Sequence, residues 1–330
     1  MTSALPFDDF RALLRQLPDP DEAARGAVQR VFGRVERPSG SLGRIAELAG
    51  WLAAWSGRAP AVNRPLVAIF AGNHGVAARG VSPRLSSDTA ALVEACAAGG
   101  AAINQVCIAH DLGLKVFDLA LDLPTADIAE DAALDERGCA ATMAFGMEAL
   151  AGGTDLVAVG DIGVGNSTVA AALAAALFGG RGADWVGPGS GADARMVARK
   201  AETVDRALDL HGGNLSDPLE ALRRVGGREF AAIAGAVLAA RMQNVPVILD
   251  GFAATASAAV LHVAQPGALD HCVLASTSGE PGQTRLAAEM GLKPLADLRL
   301  AHGEGVGAGI AAGMVRAAAL VHSGLAAAYR

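Results

Sequence analysis

Large aromatic side chains are scarce in this sequence. Phe, Trp and Tyr make up 4% of the 330 residues, although 52% of the residues are hydrophobic, so Ala and Gly supply most of the apolar fraction. With few large side chains to fill gaps, the helices and strands of the core must approach one another closely. The length allows two average domains, or one large α/β domain with an extension.

Cysteine is also sparse, and no Cys-x-x-Cys pair occurs. The four cysteines are Cys96, Cys107, Cys139 and Cys272. Their wide spacing argues against a zinc site and against a disulfide framework. We expect four buried free thiols in a protein of a reducing compartment.

Runs of basic residues are absent as well. The chain has 27 basic and 34 acidic residues, a net charge of −7, which argues against a nucleic-acid-binding face. Residues 1–10 lack the apolar segment of a signal peptide, and apolar runs such as residues 230–240 are too short to span a bilayer. We therefore expect a cytoplasmic protein without nucleic-acid or membrane partners.

The sequence is rich in short runs of Val, Ile, Leu and Phe that alternate with Ala-rich helical stretches after Pro65, a pattern typical of a parallel α/β sheet. The predicted strands are residues 66–71, 114–119, 156–159, 185–186, 245–249 and 272–275. Helices are predicted at both chain ends. We expect residues 1–60 and 303–330 to form a small helical subdomain beside an α/β domain of residues 61–302.

Each predicted strand but one is followed by a loop rich in Gly and polar residues. The loops are residues 72–75, 160–168, 187–191, 250–251 and 276–282. The carboxyl ends of parallel strands meet at one edge of the sheet, where ligands bind in open α/β folds. The sequence therefore predicts an active site at that edge.

Two of these loops are suited to binding a phosphate. The first, Gly163-x-Gly165-Asn-Ser-Thr168, opens an Ala-rich helix whose N-terminal N–H groups can hold an anion, although a tight turn with an ordinary helix cap is the alternative. The second, Gly187-Pro-Gly-Ser-Gly191, lies about two helical turns before Lys200. No Walker lysine follows the first loop, which argues against a P-loop ATPase.

Two acidic residues stand out near the predicted edge. Asp250 ends a strand and could bond ribose hydroxyls or cap the next helix; a single acid there argues against a metal–pyrophosphate mechanism. Glu304 lies among glycines in His302-Gly-Glu-Gly-Val-Gly307, at the start of an apolar helix. It is interpreted either as a helix-dipole partner or as a general base whose pKa is raised by burial. Of the seven histidines, His74 alone is placed at the edge.

Taken together, these segments resemble the nicotinate-nucleotide–dimethylbenzimidazole phosphoribosyltransferase family over residues 37–324. The resemblance rests on motifs in the family's order: Arg37-Pro-Ser-Gly-Ser-Leu-Gly43, Phe70-Ala-Gly-Asn-His-Gly-Val76 with Gly80-Val-Ser82, residues 160–168, residues 187–191, Gly226-Gly-Arg-Glu229, Leu249-Asp-Gly251, Ser278-x-Glu280-Pro-Gly282, and Gly303-Glu-Gly305 with Gly307-Ala308. It implies a Rossmann-like domain, a homodimer, no metal and no cofactor.

The resemblance also implies roles for individual residues. The family's catalytic base maps onto Glu304. Together with His74, the expected substrate contacts are Ser82, Asp161, Gly163, Gly165, Asn166, Ser167, Gly187, Gly189, Gly191, Lys200, Asp250, Gly251, Ser278 and Gly303. Ser82 would belong to the pocket for the benzimidazole base. The phosphate and ribose contacts would come from the loops at residues 163–167, 187–191 and 250–251, from Lys200 and from Ser278.

The implied chemistry fits these residues. Nicotinate leaves a cationic pyridinium glycoside with a neutral ring nitrogen, so no general acid is required. The incoming benzimidazole must lose its N–H proton, so a single carboxylate base suffices. Attack from the opposite face inverts C1′ and yields the α-riboside phosphate.

The chain departs from the family's pattern at several ligand positions. Asp161 stands where the family usually has Glu, Asp88 where it has Val, Thr277 and Gln283 where it has His, and Ala301 where it has a phosphate-contacting Arg. Arg299 or His302 are candidates to replace that Arg. These departures leave open a non-catalytic or altered-specificity paralogue that binds a mononucleotide or azole. The glycine loops alone suggest a further alternative, a dinucleotide-dependent oxidoreductase, which the missing acid after the next strand disfavours.

Overall fold

Six parallel strands form one sheet in the computed structural model, which describes residues 5–35, 38 and 40–329. The strands are β1 (Pro65–Ala71), β2 (Gly113–Asp118), β3 (Leu156–Ile162), β4 (Val247–Leu249), β5 (Cys272–Ser278) and β6 (Pro294–Leu300). Their order is β2-β1-β3-β4-β5-β6. The predicted α/β fold with a parallel sheet is confirmed. The strand order reverses between β1 and β3, the point at which such sheets bind ligands.

Helices cover both faces of the sheet. In chain order they are α1 (Asp8–Leu14), α2 (Glu22–Val35), α3 (Arg44–Ser56), α4 (Ser87–Ala97), α5 (Ala102–His110), α6 (Glu136–Glu148), α7 (Asn166–Phe178), α8 (Ala194–His211), α9 (Pro218–Val225), α10 (Arg228–Met242), α11 (Gly251–Ala264), α12 (Pro281–Glu289) and α13 (Val306–Ala328). Arg37 and Ser39 of the motif before α3 lie outside the described residues.

Side chains of β1 alternate between two hydrophobic cores. Ala68 and Phe70 join the core that includes α6, α7, α10 and α11. Val67, Ile69 and Ala71 join the second core, which includes α2, α3, α5 and α13. This alternation follows from the period of two in a strand that is buried on both faces. Helices α2, α3 and α13 thus pack together against one sheet face, whereas α1 contributes Phe10 and Leu14 to the first core. The division into two subdomains stays a prediction.

The close approach expected from the Ala- and Gly-rich composition occurs between α6 and α10. A Cβ atom on Gly146 would lie 1.9 Å from the backbone oxygen of Ala232, and one on Gly235 would lie 1.9 Å from that of Met143. No larger residue fits at either position, so the two helix backbones touch directly. Backbone contact thus takes the place of large side chains in this core.

One predicted strand was wrong and one strand was missed. Trp185 and Val186 lie in a turn after a 3₁₀ segment, where the fully buried Trp185 donates its Nε1–H to the backbone oxygen of Gly179 at 2.9 Å. The apolar pair is therefore buried without pairing to a strand. The missed strand, β6, has no buried residue and carries Asp297 and Arg299, so it lacks the apolar run of the other strands.

Two helical segments exceed the lengths expected from the apolar runs. Ser87–His110, which contains α4 and α5, and Val306–Ala328, which is α13, are long and apolar enough to cross a membrane by length and composition alone. The expectation that every apolar run is too short was wrong for these segments. Core helices pass the same test, and α13 places Ala308, Ala312 and Val315 in the second core.

Candidate active site

A cavity of about 170 Å³ opens at the carboxyl ends of the strands. The predicted residues that line it are Ser82, Asp161, Gly163, Gly165, Asn166, Ser167, Gly189, Lys200, Gly251, Ser278, Gly303 and Glu304. Four predicted residues do not line it: His74, Gly187, Gly191 and Asp250. Residues that are far apart in sequence thus converge at the edge that the loop pattern indicated.

A left-handed turn holds Glu304 in the cavity wall. Gly303, Glu304 and Gly305 have φ values of +79°, +59° and +72°, a conformation that is uncommon for a non-glycine residue. The turn is fixed against β3, because the Glu304 N–H donates to the backbone oxygen of Asp161 at 3.2 Å. The two segments also touch, since a Cβ on Gly160 would lie 2.5 Å from the backbone nitrogen of Gly305. Strain of this kind persists where the surroundings enforce it, typically at functional sites.

The Glu304 carboxylate is buried but not fully paired. The residue is 3% exposed, and its Oε2 atom has no hydrogen-bond partner within the described residues. His302 Nε2 lies 3.4 Å from this Oε2. Cys96 also lies within reach of the Glu304 charge: burial, and to a smaller extent this charge, raise the pKa of its thiol to about 11. A carboxylate with a free lone pair at a cavity suits a proton acceptor.

The part of the cavity beside α7 is suited to an anion. The α7 helix begins there after Gly165, so its first N–H groups point toward the cavity. Lys200 is 2% exposed, and its Nζ donates to Ser167 Oγ at 2.9 Å and to the Gly187 oxygen at 2.7 Å. Burial lowers the pKa of Lys200, and Glu280 partly opposes this. A phosphate at this place would meet both a helix N-terminus and a buried cation.

Glu280 belongs to the same part of the cavity, although it was not predicted as a site residue. Its Oε1 accepts a hydrogen bond from the Gly189 N–H, while Oε2 has no partner within the described residues. The Glu280 N–H donates to Ser278 Oγ at 3.1 Å, which fixes the turn after β5. The motif Ser278-x-Glu280-Pro-Gly282 was the available signal, but it did not reveal on which side the carboxylate lies.

Three acidic residues, Asp161, Glu229 and Asp250, lie close together, and of these only Asp161 lines the cavity. Burial, then Glu229 and then Asp250 raise the pKa of Asp161 to about 8, although Asn166 Nδ2 donates to Asp161 Oδ2 at 2.6 Å. Burial also raises the pKa of Asp250 to about 6, against the opposing effect of the Ala308 and Gly307 N–H groups. Asp250 therefore faces the N-terminus of α13 instead of the open cavity.

His74 lies behind the cavity wall. Its Nε2 atom is hydrogen-bonded to Glu229 Oε1, and both side chains are almost completely buried. Glycines make room for this pair, since a Cβ on Gly72 would lie 2.2 Å from Glu229 Oε2 and one on Gly227 2.5 Å from His74 Cε1. The His74–Glu229 pair thus joins the loop after β1 to the start of α10.

Another part of the cavity wall is mainly apolar. Val81, Leu92 and Leu300 line it together with Ser82 and the fully buried Thr89, whose Oγ1 has no hydrogen-bond partner within the described residues. Thr89 was missed as a site residue, because helical spacing does not distinguish a cavity wall from a core. A flat aromatic base fits such a wall.

Ala301 also lines the cavity, where the family's pattern has an arginine. Arg299 does not take its place: it has φ +49°, its side chain is 81% exposed, and it lies 3.6 Å from Asp297. Of the two candidate substitutes, only His302 lines the cavity. Across the described ranges, no cluster of three or more His, Cys, Asp or Glu side chains could hold a metal ion.

Comparison with known proteins gives consistent results. The family model DBI_PRT, described as phosphoribosyltransferase, matches residues 17–329. Two curated proteins, from Sinorhizobium medicae and Rhizobium meliloti, are each 61% identical over 324 residues, covering 98% of this chain and 96% of theirs; both are named nicotinate-nucleotide–dimethylbenzimidazole phosphoribosyltransferase. A crystal structure of CobT from Thermus thermophilus superposes with a TM-score of 0.85 at 36% identity, covering 91% of this chain and 96% of that one.

Proposed function

The chain belongs to the DBI_PRT phosphoribosyltransferase family, and we propose that it transfers phosphoribose from nicotinate mononucleotide to 5,6-dimethylbenzimidazole. The products are nicotinate and α-ribazole 5′-phosphate, and the reaction is a step of cobalamin biosynthesis. The observation that carries the proposal is the buried Glu304 carboxylate, which has an unpaired oxygen in the cavity wall, among the described residues. A retained base favours an enzyme over a non-catalytic paralogue.

We propose that Glu304 removes the N–H proton of the benzimidazole as the opposite ring nitrogen attacks C1′ of the ribose. The pair of electrons in the glycosidic C–N bond moves to the pyridinium nitrogen, so nicotinate departs without a proton. The apolar wall at Val81, Leu92 and Leu300 supports this role, because it excludes water from the base and its proton acceptor.

We propose that the donor's phosphate binds in the part of the cavity beside α7. The supporting observations are the N-terminus of α7, the loop containing Gly189, and the buried Lys200. Asp161 is positioned for the ribose: with a pKa of about 8 it is protonated at neutral pH and can donate a hydrogen bond to a hydroxyl. Asn166 holds the other carboxyl oxygen.

We further propose that the protein is a cytoplasmic homodimer that uses neither metal nor cofactor, with residues 1–60 and 303–330 as its helical subdomain. Exposed apolar side chains on α5 and α13 support a partner surface on the sheet face that these two helices cover. Ile108 of α5 is 76% exposed and Leu320 of α13 is 64% exposed. Burial of these apolar side chains against a second copy of the chain would stabilise a dimer.

Product analysis tests the function directly. Purified protein is incubated with nicotinate mononucleotide and 5,6-dimethylbenzimidazole, and with benzimidazole and adenine as alternative acceptors. Chromatography with mass spectrometry should detect nicotinate and α-ribazole 5′-phosphate in equal amounts. Nicotinate mononucleotide that stays intact with every acceptor, although calorimetry shows it bound, would establish the non-catalytic alternative.

A further inference from the structure

The buried position of Glu304 raises the question of how its proton returns to water. The Glu304 side chain is only 4% exposed, and an acceptor base in the cavity would cover the remaining opening. Each turnover leaves one proton on this carboxylate, because the departing nicotinate needs none. Glu304 must lose that proton before the next cycle, so a group that reaches both Glu304 and solvent would speed the reset.

His302 has the required position. Its Nε2 lies 3.4 Å from Glu304 Oε2, and its side chain is 52% exposed, so one edge of the ring faces the carboxylate and the rest reaches solvent. It lines the same cavity. In the described part of the chain, this is the one ion-pair contact that Glu304 makes, and the Oε2 atom involved has no hydrogen-bond partner.

We propose that His302 relays the proton from Glu304 to solvent; the proposal rests on the proposed function, in which Glu304 is the base. Neutral His302 accepts the proton of the Glu304 carboxylic acid on Nε2 and becomes an imidazolium. The imidazolium then releases its Nδ1 proton to water, and exchange with water restores the starting tautomer. The sum of these steps moves one proton from Glu304 to solvent and changes no other bond.

Other charged groups surround this pair but do not bridge it to solvent. Asp161, Lys200 and Glu280 line the cavity and are buried. Cys96 is buried behind Glu304, and its pKa of about 11 leaves the thiol protonated. The Asp250 carboxylate faces the N-terminus of α13, at Gly307 and Ala308. Arg84 lines the cavity and is exposed, but its guanidinium does not accept a proton. The exposed Asp297–Arg299 pair on β6 does not line the cavity.

Replacement of His302 tests the relay. In His302→Ala we expect kcat to fall about tenfold or more, with little change in KM for nicotinate mononucleotide, because the proton transfer after chemistry becomes limiting. Added imidazole should restore most of kcat by diffusing into the space. His302→Leu, which fills that space and cannot carry a proton, should be equally slow and should not respond to imidazole. His262→Ala on α11, away from the cavity, is the matched histidine control.

The outcomes separate the relay from the function. A wild-type kcat in both His302 variants, or a loss confined to KM and insensitive to imidazole, overturns the relay while leaving Glu304 as the base. No turnover by the wild-type protein would overturn the proposed function, and the relay with it. Thermal melting of each variant shows whether a lower kcat reflects unfolding. If His302→Ala is unfolded, the folded His302→Leu decides: a kcat about tenfold lower with unchanged KM supports the relay, and a wild-type kcat overturns it.

Discussion

The Asp250 carboxylate faces the backbone N–H groups of Gly307 and Ala308, so the end of β4 is joined to the helix that follows Glu304. Gly307 permits this approach, because a Cβ there would lie 2.5 Å from Asp250 Oδ1. A negative charge at a helix N-terminus stabilises the helix. The position of Glu304 therefore depends on a contact between two elements that are distant in sequence.

Replacing Asp250 distinguishes this positioning role from a ribose contact. We expect Asp250→Ala to lower the free energy of unfolding by about 0.5–2 kcal/mol, the usual effect of losing a helix-capping group, and to lower kcat more than it raises KM. Chemical denaturation and steady-state kinetics measure both. Unchanged stability with a raised KM for nicotinate mononucleotide would instead assign Asp250 to the ribose.

Lys200 is expected to bind the phosphate of the donor. Lys200→Met keeps the size of the side chain but removes a charge-assisted hydrogen bond of about 1.5–3 kcal/mol. We therefore expect KM for nicotinate mononucleotide to rise roughly ten- to hundredfold, since about 1.4 kcal/mol corresponds to a factor of ten. Lys293→Met, at an exposed position, is the control. Equal KM values in the two variants would place the phosphate elsewhere.

An arginine at position 301 should tighten donor binding. Ala301 lines the cavity and is exposed, so a longer side chain at this position can extend into the open space. In Ala301→Arg we expect a roughly ten- to hundredfold lower Kd for nicotinate mononucleotide by calorimetry, the reverse of losing a charged hydrogen bond. Ala301→Met, of similar length without charge, should leave Kd close to that of the wild type; equal tightening in both variants would exclude a charge effect.

The raised pKa of Asp161 predicts a pH-dependent stability. Because the folded protein holds this proton up to about pH 8, whereas an unfolded Asp releases it near its ordinary pKa of 3.8, the free energy of unfolding should fall as pH rises between these values. The slope is at most about 1.4 kcal/mol per pH unit. Asp161→Asn should flatten the curve in this window.

Asp209 provides the matched control for that measurement. A hydrogen bond from Arg181 lowers the pKa of this exposed carboxylate, so its contribution to stability is lost only as pH falls through the lowered pKa. Asp209→Asn should therefore leave the slope between about pH 4 and pH 8 unchanged. A wild-type slope retained in Asp161→Asn would mean that another group, such as Asp250, holds the proton.

The sequence was sufficient for features that follow from local pattern. Apolar runs located β1 to β5, and the glycine loops after β1, β3, β4 and β5 identified the ligand-binding edge. β6 was missed because an exposed edge strand needs no apolar run. The buried Trp185 was misassigned because burial in a loop and burial in a strand look alike in sequence.

Side-chain direction could not be predicted from the sequence. Asp250 follows a buried strand, which fits a ribose contact as well as a contact with α13, and only the fold brings Gly307 to its carboxylate. His74 and Glu229 come from two separate motifs, and nothing in their spacing indicates that they pair with each other behind the cavity wall. Such choices depend on long-range packing.

Turnover of Glu304→Gln tests the central claim most directly. The amide has the size of the carboxylate but cannot accept the benzimidazole proton, so we expect kcat to fall roughly 10²–10⁴-fold with unchanged thermal stability and nearly unchanged KM for nicotinate mononucleotide. Production of α-ribazole 5′-phosphate, followed by chromatography, is the readout. A Glu304→Gln variant that turns over at close to the wild-type rate would remove Glu304 from the mechanism and contradict the account.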